Sequence, residues 1–146
     1  MKKLLIFSLL LCLGLRNGQA QITKAERQAA VHQIIFQQQN DWNKGNLEGF
    51  MQGYWVSDSL MFVSKKGITY GWKGVLDNYK KSYSDKGKMG KLTFVLRRTD
   101  EIDPQNILVT GHWKVEADGK VQEGLFTLWF RFFETVGWKI RADHTS

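Results

Sequence analysis

Apolar residues recur at helical spacing in the first half of the chain. The first such stripe follows Thr23-Lys24-Ala25-Glu26, which has the spacing of a capping box, where side chain and backbone satisfy each other's free donors. The members of the stripe share one helical face and are Val31, Ile34, Ile35, Gln38 and Trp42. Gln38 is the polar member. The stripe predicts an amphipathic helix that is broken at Asn43-Lys44-Gly45.

Two more helices and a small hairpin are predicted before residue 84. Asn46 can cap a second helix, whose apolar face consists of Leu47, Phe50, Met51, Tyr54 and Trp55. A third helical face, after Gly71, consists of Trp72, Val75, Leu76, Tyr79 and Tyr83. Between these helices, residues 60–63 and 68–70 indicate two short paired strands. Residues 84–90 are rich in lysine and glycine and predict a polar loop.

After residue 90 the apolar residues alternate as they do in β-strands. Strands are predicted from residue 91, at 107–115, at 121–133 and at 138–144. Asp118-Gly119 is typical of a two-residue hairpin loop, because both central residues of that turn need positive φ. The register set by this loop places on one face Ile107, Val109, Trp113, Phe126, Leu128 and Phe130. We call this the inner face and expect the helices to cover it.

The same register leaves a second apolar strip on the opposite, outer face of the sheet. The strip consists of Leu125, Trp129 and Phe133 on a single strand, and with Thr127 these residues make up the expected interface. An exposed apolar strip usually marks an interface. The alternative is that neighbouring lysine and arginine stems cover it.

The last predicted strand carries His144, the residue with the clearest catalytic potential. A three-residue loop after Glu134 places His144 beside Leu128, on the inner face, and turns Asp143 outward. A histidine at this end of the sheet can act as a general acid or base. The alternative is a histidine that is hydrogen-bonded at a strand end.

The first twenty residues have the layout of a secretory signal peptide. A basic start at Lys2 and Lys3 precedes the apolar run from Leu4 to Leu15, and Gly18-Gln19-Ala20 supplies small residues for cleavage. The 12 positions of that run fall short of the roughly 20 that a membrane-spanning helix needs. We therefore expect an exported protein, periplasmic or secreted, with one mature domain over residues 21–146.

Cleavage changes what the composition implies. The 146 residues are 42% hydrophobic and 24% charged, which suits one globular domain and excludes a disordered chain. Cleavage removes three of the 21 basic residues, none of the 14 acidic ones and the sole cysteine, so the net charge falls from +7 to +4. With no thiol and no close spacing among the three histidines, neither a metal nor another cofactor is expected. The lysines of residues 80–91 indicate a solvated loop rather than a nucleic-acid site.

The order helix, helix, hairpin, helix and four strands indicates an α+β domain. In this order the chain resembles the nuclear transport factor 2-like superfamily, especially its SnoaL-like branch of secreted bacterial proteins. The segments that carry the resemblance are Trp42 to Phe50, Gly67 to Gly71 and Trp138-Lys139-Ile140. The resemblance implies a cone-shaped fold with three N-terminal helices on a curved antiparallel sheet. It also implies a pocket between helices and sheet, and a homodimer paired through the outer face.

The resemblance implies a pocket at the open end of the cone but does not settle its chemistry. The side chains expected to line this pocket are Gln38, Trp42, Tyr54, Tyr79, Leu128 and His144. The polar tips among them can hydrogen-bond a ligand or be satisfied within the core. The superfamily's steroid-isomerase mechanism needs a carboxylate base, a tyrosine and a protonated acid, but the matching positions hold about Val63, Gln38 and Leu128. That mechanism is therefore disfavoured.

Three functions are compatible with these features. The first is a homodimer that binds a small apolar or aromatic molecule in its cone. The second is an enzyme of the isomerase, cyclase or dehydratase type that uses His144 with Gln38 and Tyr79. The third is a protein-interaction module that acts through the outer face. Converging ionisable groups would favour the enzyme, an apolar cavity would favour binding, and a cone filled by its own side chains would favour the module.

Overall fold

In residues 22–146, four helices pack against one face of a six-stranded sheet. The structure is a computed structural model that describes these residues, so the predicted signal peptide lies outside the described residues. The helices are α1 (Lys24–Asn43), α2 (Leu47–Met51), α3 (Trp72–Ser82) and α4 (Lys86–Met89). The strands are β1 (Met61–Ser64), β2 (Gly67–Tyr70), β3 (Lys91–Asp103), β4 (Asn106–Ala117), β5 (Lys120–Phe133) and β6 (Gly137–Thr145). Within this part of the chain, no helix is long and apolar enough to cross a membrane.

The sheet is mostly antiparallel, with the strand order β2-β1-β6-β5-β4-β3. β1 and β6 run parallel, which the prediction of an antiparallel sheet did not include. Register shifts interrupt the β3–β4 and β5–β6 pairings, and such irregularities bend and twist a sheet. The predicted α+β class and curved sheet are confirmed.

The expectation of three N-terminal helices needs correction. A fourth, short helix, α4, forms in the stretch predicted to be a polar loop. The Asp85 side chain caps it by accepting a hydrogen bond from the Lys88 backbone N–H at 2.9 Å. The turn is anchored by Met89, which is buried in the core and accepts a hydrogen bond from the Trp42 indole N–H at 2.8 Å.

α1 begins and packs as the sequence predicts. The Thr23 side chain accepts a hydrogen bond from the Glu26 backbone N–H, and the Glu26 carboxylate accepts one from the Thr23 backbone N–H. The buried members of its predicted stripe are Val31, Ile35, Gln38 and Trp42. The stripe thus fixes which face of α1 meets the sheet.

α2 ends at Met51, before the last two residues of its predicted apolar stripe. Tyr54 and Trp55 therefore lie outside the helix and point in different directions. The Trp55 backbone N–H donates to the Ile140 carbonyl and the Ile140 N–H donates to the Gly53 carbonyl, each at 2.9 Å. This bridge holds the chain extended beside β6, where successive side chains point to opposite faces. Tyr54 therefore enters the core, and Trp55 stacks on Phe133 with ring centroids 4.6 Å apart.

The predicted register of β4 and β5 is confirmed. Ala117 pairs with Lys120 across Asp118-Gly119, and both loop residues have positive φ. Gly111 pairs with Phe126, whose ring occupies the space that a Cβ on this glycine would need. The apolar inner face thus follows from the turn and the alternation of side chains alone.

The predicted register of β6 is wrong, with consequences for function. β6 pairs Ile140 with Phe130 but Ala142 with Trp129, so Arg141 is the extra residue of a β-bulge. A bulge shifts the alternation of side chains by one residue. Asp143 therefore lies beside Leu128 on the inner face.

Candidate functional site

Of the acidic and basic side chains in residues 22–146, only that of Asp143 is buried, with 5% of its surface exposed. It lies on β6 between Leu128 of β5 and Phe62 of β1. Leu128 is itself buried, and Phe62 packs against the core. The carboxyl group therefore points into the space between sheet and helices.

Tyr54 approaches the same carboxyl group from the segment after α2. Its hydroxyl donates a hydrogen bond to Asp143 Oδ2 at 2.7 Å. The backbone bridge to Ile140 fixes Tyr54 beside β6, so two residues 89 positions apart in the sequence meet. Hydrogen bonds to carboxylates are among the stronger ones in proteins.

Tyr79 brings a second phenol to this cluster from α3. Its hydroxyl adjoins that of Tyr54. Burial raises the pKa of both phenols, and the nearby Asp143 carboxylate raises each pKa further. Both hydroxyls are therefore protonated at neutral pH, and the single proton of the Tyr54 hydroxyl is donated to Asp143 Oδ2.

The second carboxyl oxygen of Asp143, Oδ1, is buried and has no hydrogen-bond partner among residues 22–146. None of the ion pairs in this part of the chain includes it. Burial raises the pKa of Asp143 to about 7, while the hydrogen bond from Tyr54 acts to lower it. Near neutral pH the group can therefore accept a hydrogen bond as carboxylate or donate one as carboxylic acid.

An aromatic cluster surrounds these polar atoms. Its members come from α1, α2, α3, β1 and the segments that follow α2 and α3, and they are Trp42, Phe50, Tyr54, Phe62, Tyr79 and Tyr83. Tyr79 is central, with ring centroids 5.3 Å from Phe50, 5.8 Å from Phe62 and 5.9 Å from Trp42. The rings pack against one another over the Asp143 carboxyl group, and we call this ring-lined region beside Asp143 the chamber.

Tyr83 is the half-buried outer member of the aromatic cluster. It lines a hollow of about 210 Å³ beside the β4–β5 hairpin and another of about 320 Å³ beside the start of α2. Its ring centroid is 4.7 Å from that of Trp42. Tyr83 therefore stands between the chamber and two shallow surface hollows.

Gln38 and Trp42, which the sequence places in the pocket, are engaged by the protein itself. The Gln38 side-chain amide donates to the Phe50 carbonyl at 3.0 Å and is 2% exposed. Gly53 packs directly against it, since a Cβ there would come within 2.6 Å of the Gln38 Cδ atom. Trp42 presents its ring to the chamber, while its indole N–H is bonded to the backbone of α4.

His144, the predicted catalytic candidate, does not share this space. The bulge turns it away from Leu128, and it pairs instead with Thr127 of β5 and Val63 of β1. Its side chain is exposed. The expectation that His144 lies on the inner face is therefore wrong. Across residues 22–146, no three His, Cys, Asp or Glu side chains converge as a metal site.

The register predicted from the sequence places Asp143 on the outer face. Strict alternation along β6 leads to that error, because the alternation does not reveal where an extra residue enters a strand. One signal was available, since Asp143 is the only acidic residue in an otherwise apolar or basic last strand. An acid beside Ile140 and Ala142 is unusual enough to question the register.

The outer face carries the predicted apolar strip, partly covered by arginine side chains. Leu125 is 55% exposed, while Trp129 and Phe133 are half-buried. The Arg141 guanidinium lies 5.0 Å from the Trp129 ring centroid, and that of Arg131 lies 5.6 Å from the Phe133 centroid. The two arginine side chains therefore cover part of the apolar strip, and the rest of the strip remains exposed.

Comparison with solved structures assigns the fold to a family. A nuclear transport factor 2-like protein of unknown function from Shewanella oneidensis MR-1 matches with a TM-score of 0.78 and 32% sequence identity, over 81% of this chain and 97% of that one. The chain therefore belongs to the nuclear transport factor 2-like superfamily. A scan against family models finds no match, and neither does a search of the curated proteins.

More distant structures share the fold alone. A superfamily protein from Salmonella enterica serovar Typhimurium LT2 matches with a TM-score of 0.67 and 17% identity, over 85% of this chain and 92% of that one. A ketosteroid isomerase-like protein from Erwinia carotovora atroseptica SCRI1043 matches with a TM-score of 0.64 and 13% identity, over 83% of this chain and 95% of that one. The fold is thus shared by proteins described in different functional terms.

Proposed function

We propose that this protein binds a small, largely apolar or aromatic molecule in the chamber above Asp143. The observation that carries the proposal is the buried Asp143 Oδ1 atom, which has no partner among residues 22–146. A buried polar atom without a hydrogen bond is costly, and a polar group of a ligand would remove that cost. The surrounding aromatic rings would hold the apolar body of such a ligand.

Entry to this chamber requires movement of the aromatic cluster. Tyr79 and Tyr83 pack with ring centroids 6.1 Å apart and lie between the Asp143 carboxyl group and the surface hollows. Tyr83 follows directly after α3 and lines both hollows, whereas Tyr79 lines neither. Rotation of its side chain would join the two hollows to the space beneath.

Mass spectrometry of small molecules released from the purified protein tests this proposal. The wild type should retain an apolar or aromatic compound, and Asp143→Leu should lose it, because leucine keeps an apolar bulk but removes the polar anchor. Glu134→Gln, an exposed carboxyl in the β5–β6 loop, is the matched control and should retain the compound. Equal retention by wild type and Asp143→Leu would contradict the proposal.

A second candidate is an enzyme that uses Asp143 as its general acid or base. A pKa near 7 suits proton transfer at neutral pH, and the Tyr79 hydroxyl could stabilise developing negative charge. In this role Asp143 replaces the predicted trio of His144, Gln38 and Tyr79, since His144 is exposed and the Gln38 amide is bonded to the backbone. Conversion of the retained compound by wild type but not by Asp143→Asn would favour catalysis.

The proposal includes export and a homodimer paired through the outer face. The exposed Leu125 and the half-buried Trp129 and Phe133 support the dimer, and the layout of residues 1–20 supports export. N-terminal sequencing of the exported protein should find a chain that begins at Gln21. A function in protein interaction through the outer face follows if the chamber proves to hold no ligand.

A further inference from the structure

We propose that the ligand of the chamber is a small organic amine, whose ammonium group binds the Asp143 carboxylate while its apolar body packs among the aromatic rings. This inference rests on the proposed function and adds the chemical class of the ligand. The carboxyl group lies between Leu128 and Phe62 on the neighbouring strands, and the Tyr54 hydrogen bond uses only one of its two oxygens.

The first support is that the protein provides a hydrogen bond to only one of the two Asp143 carboxyl oxygens. Tyr54 satisfies Oδ2, while Oδ1 is buried and unpartnered in the described chain. A hydrogen-bond donor is therefore the complement that the site lacks when Asp143 is ionised. The residues paired with Asp143 on the neighbouring strands, Leu128 and Phe62, carry no side-chain hydrogen-bond donor.

The second support is the absence of a compensating positive charge within residues 22–146. Asp143 takes part in none of the ion pairs there. The nearest basic residues along β6 are turned away, since Arg141 lies against Trp55 and Trp129 and His144 is exposed. A buried carboxylate without a cation is costly, and a cationic ligand would offset that cost.

The third support is that the side chains around Asp143 are aromatic. The faces of aromatic rings attract cations, and ammonium groups are bound in proteins by combining such rings with a carboxylate. Phe62 pairs with Asp143 across the parallel β1–β6 junction, and Tyr79 packs on Phe62. An anionic ligand would instead be repelled by Asp143, and a neutral one would leave its charge unbalanced.

Titration calorimetry with three probes of one carbon skeleton tests the inference: phenylpropylamine, phenylpropanol and phenylpropanoate. At pH 8, where Asp143 is mostly ionised, the amine should bind wild type at least about tenfold more tightly than the alcohol. The carboxylate probe should bind most weakly. Asp143→Asn should remove the preference for the amine while keeping the binding of the alcohol, and Glu134→Gln should behave as wild type does.

A pH series on the wild type makes the test independent of whether Asp143→Asn folds. Affinity for the amine should fall as the pH is lowered through about 7, because protonation of Asp143 removes its charge. The other titratable groups that face Asp143 are the Tyr54 and Tyr79 phenols, whose raised pKa values keep them protonated throughout. Affinity for the alcohol should change little.

The outcomes separate the inference from the function on which it rests. Equal affinity for amine and alcohol would overturn the amine assignment and leave binding of an apolar molecule in place. An amine preference that survives in Asp143→Asn would also overturn it, since the charge would then lie elsewhere. If none of the three probes binds, the amine assignment is wrong, and the compound retained by the purified protein decides the proposed function separately.

Discussion

The Tyr54 hydroxyl donates a hydrogen bond to Asp143 Oδ2 at 2.7 Å, joining the segment after α2 to the last strand. Two features of the chain create this contact. A parallel β-bridge between Tyr54 and Ile140 holds the tyrosine beside β6, and the bulge at Arg141 turns Asp143 toward it. The only buried carboxyl group of residues 22–146 thus depends on one irregularity in the sheet.

Tyr54→Phe should destabilise the protein by about 1–3 kcal/mol, because it leaves Asp143 Oδ2 buried without its donor. It should also raise the pKa of Asp143, since the Tyr54 hydrogen bond acts to lower it. Urea denaturation measures the first effect, and NMR titration of the carboxyl carbon measures the second. Tyr70→Phe, at an exposed tyrosine, is the control and should change neither. An unaltered Asp143 titration in Tyr54→Phe would contradict the assignment of the hydrogen bond.

The stability of the protein should depend on the ionisation of Asp143. Folding raises its pKa from 3.8 to about 7, so the folded state holds this proton more tightly than the unfolded state. The stabilising contribution of Asp143 to the free energy of unfolding is therefore fully present below pH 3.8. It decreases as the pH rises and reaches its lowest value once the pH exceeds about 7. The loss is on the order of a few kcal/mol.

Asp143→Asn cannot ionise and isolates this effect from all other titrating groups. Between pH 4 and 8, the free energy of unfolding of the wild type should fall relative to that of the variant. Denaturation curves for both proteins at several pH values measure the difference. Parallel curves would mean that Asp143 titrates alike in the folded and unfolded states.

Trp129→Glu should convert the proposed dimer to a monomer, because it places a charge in the apolar strip of the outer face. Sedimentation velocity on the mature protein reports the mass. Phe36→Glu, at a residue of α1 that is 45% exposed, introduces the same charge away from the sheet and should leave the mass unchanged. A Trp129→Glu protein with the mass of the wild type would exclude pairing through this face.

Gly111→Ala should destabilise the fold by about 1–3 kcal/mol, as overpacking of a core does. A Cβ at this position would lie 2.5 Å from both the Phe126 Cζ atom and the Val95 backbone oxygen, and the backbone atom has little freedom to yield. Gly74→Ala is the matched control, since its nearest neighbour, Thr69 Cγ2, would lie at 3.4 Å and alanine favours the helix. Thermal denaturation should show a lower melting temperature than that of the wild type for Gly111→Ala, and an equal or higher one for Gly74→Ala. Equal losses in the two variants would contradict the close packing at Gly111.

Much of the fold could be predicted because it depends on short-range rules. The Thr23 cap, the stripe of α1 and the Asp118-Gly119 turn each involve residues close in sequence, and each appears as predicted. The β4–β5 register follows from that turn. The predictions that were wrong, such as a loop over all of residues 84–90 and a longer α2, concern segments whose structure depends on what they contact in space.

The sequence alone determined the α+β class, the inner and outer faces of β4 and β5, and the likeness to the superfamily. Only the tertiary structure decided that Asp143, rather than His144, faces the chamber. A bulge inverts the alternation of every later residue in a strand, and its position is set by the neighbouring strands rather than by the strand itself. Here the parallel pairing of β1 with β6 and the bridge from Tyr54 to Ile140 fix where β6 must lie. Because of one extra residue in β6, the buried carboxyl group of Asp143 lies at the candidate site, and His144 is exposed.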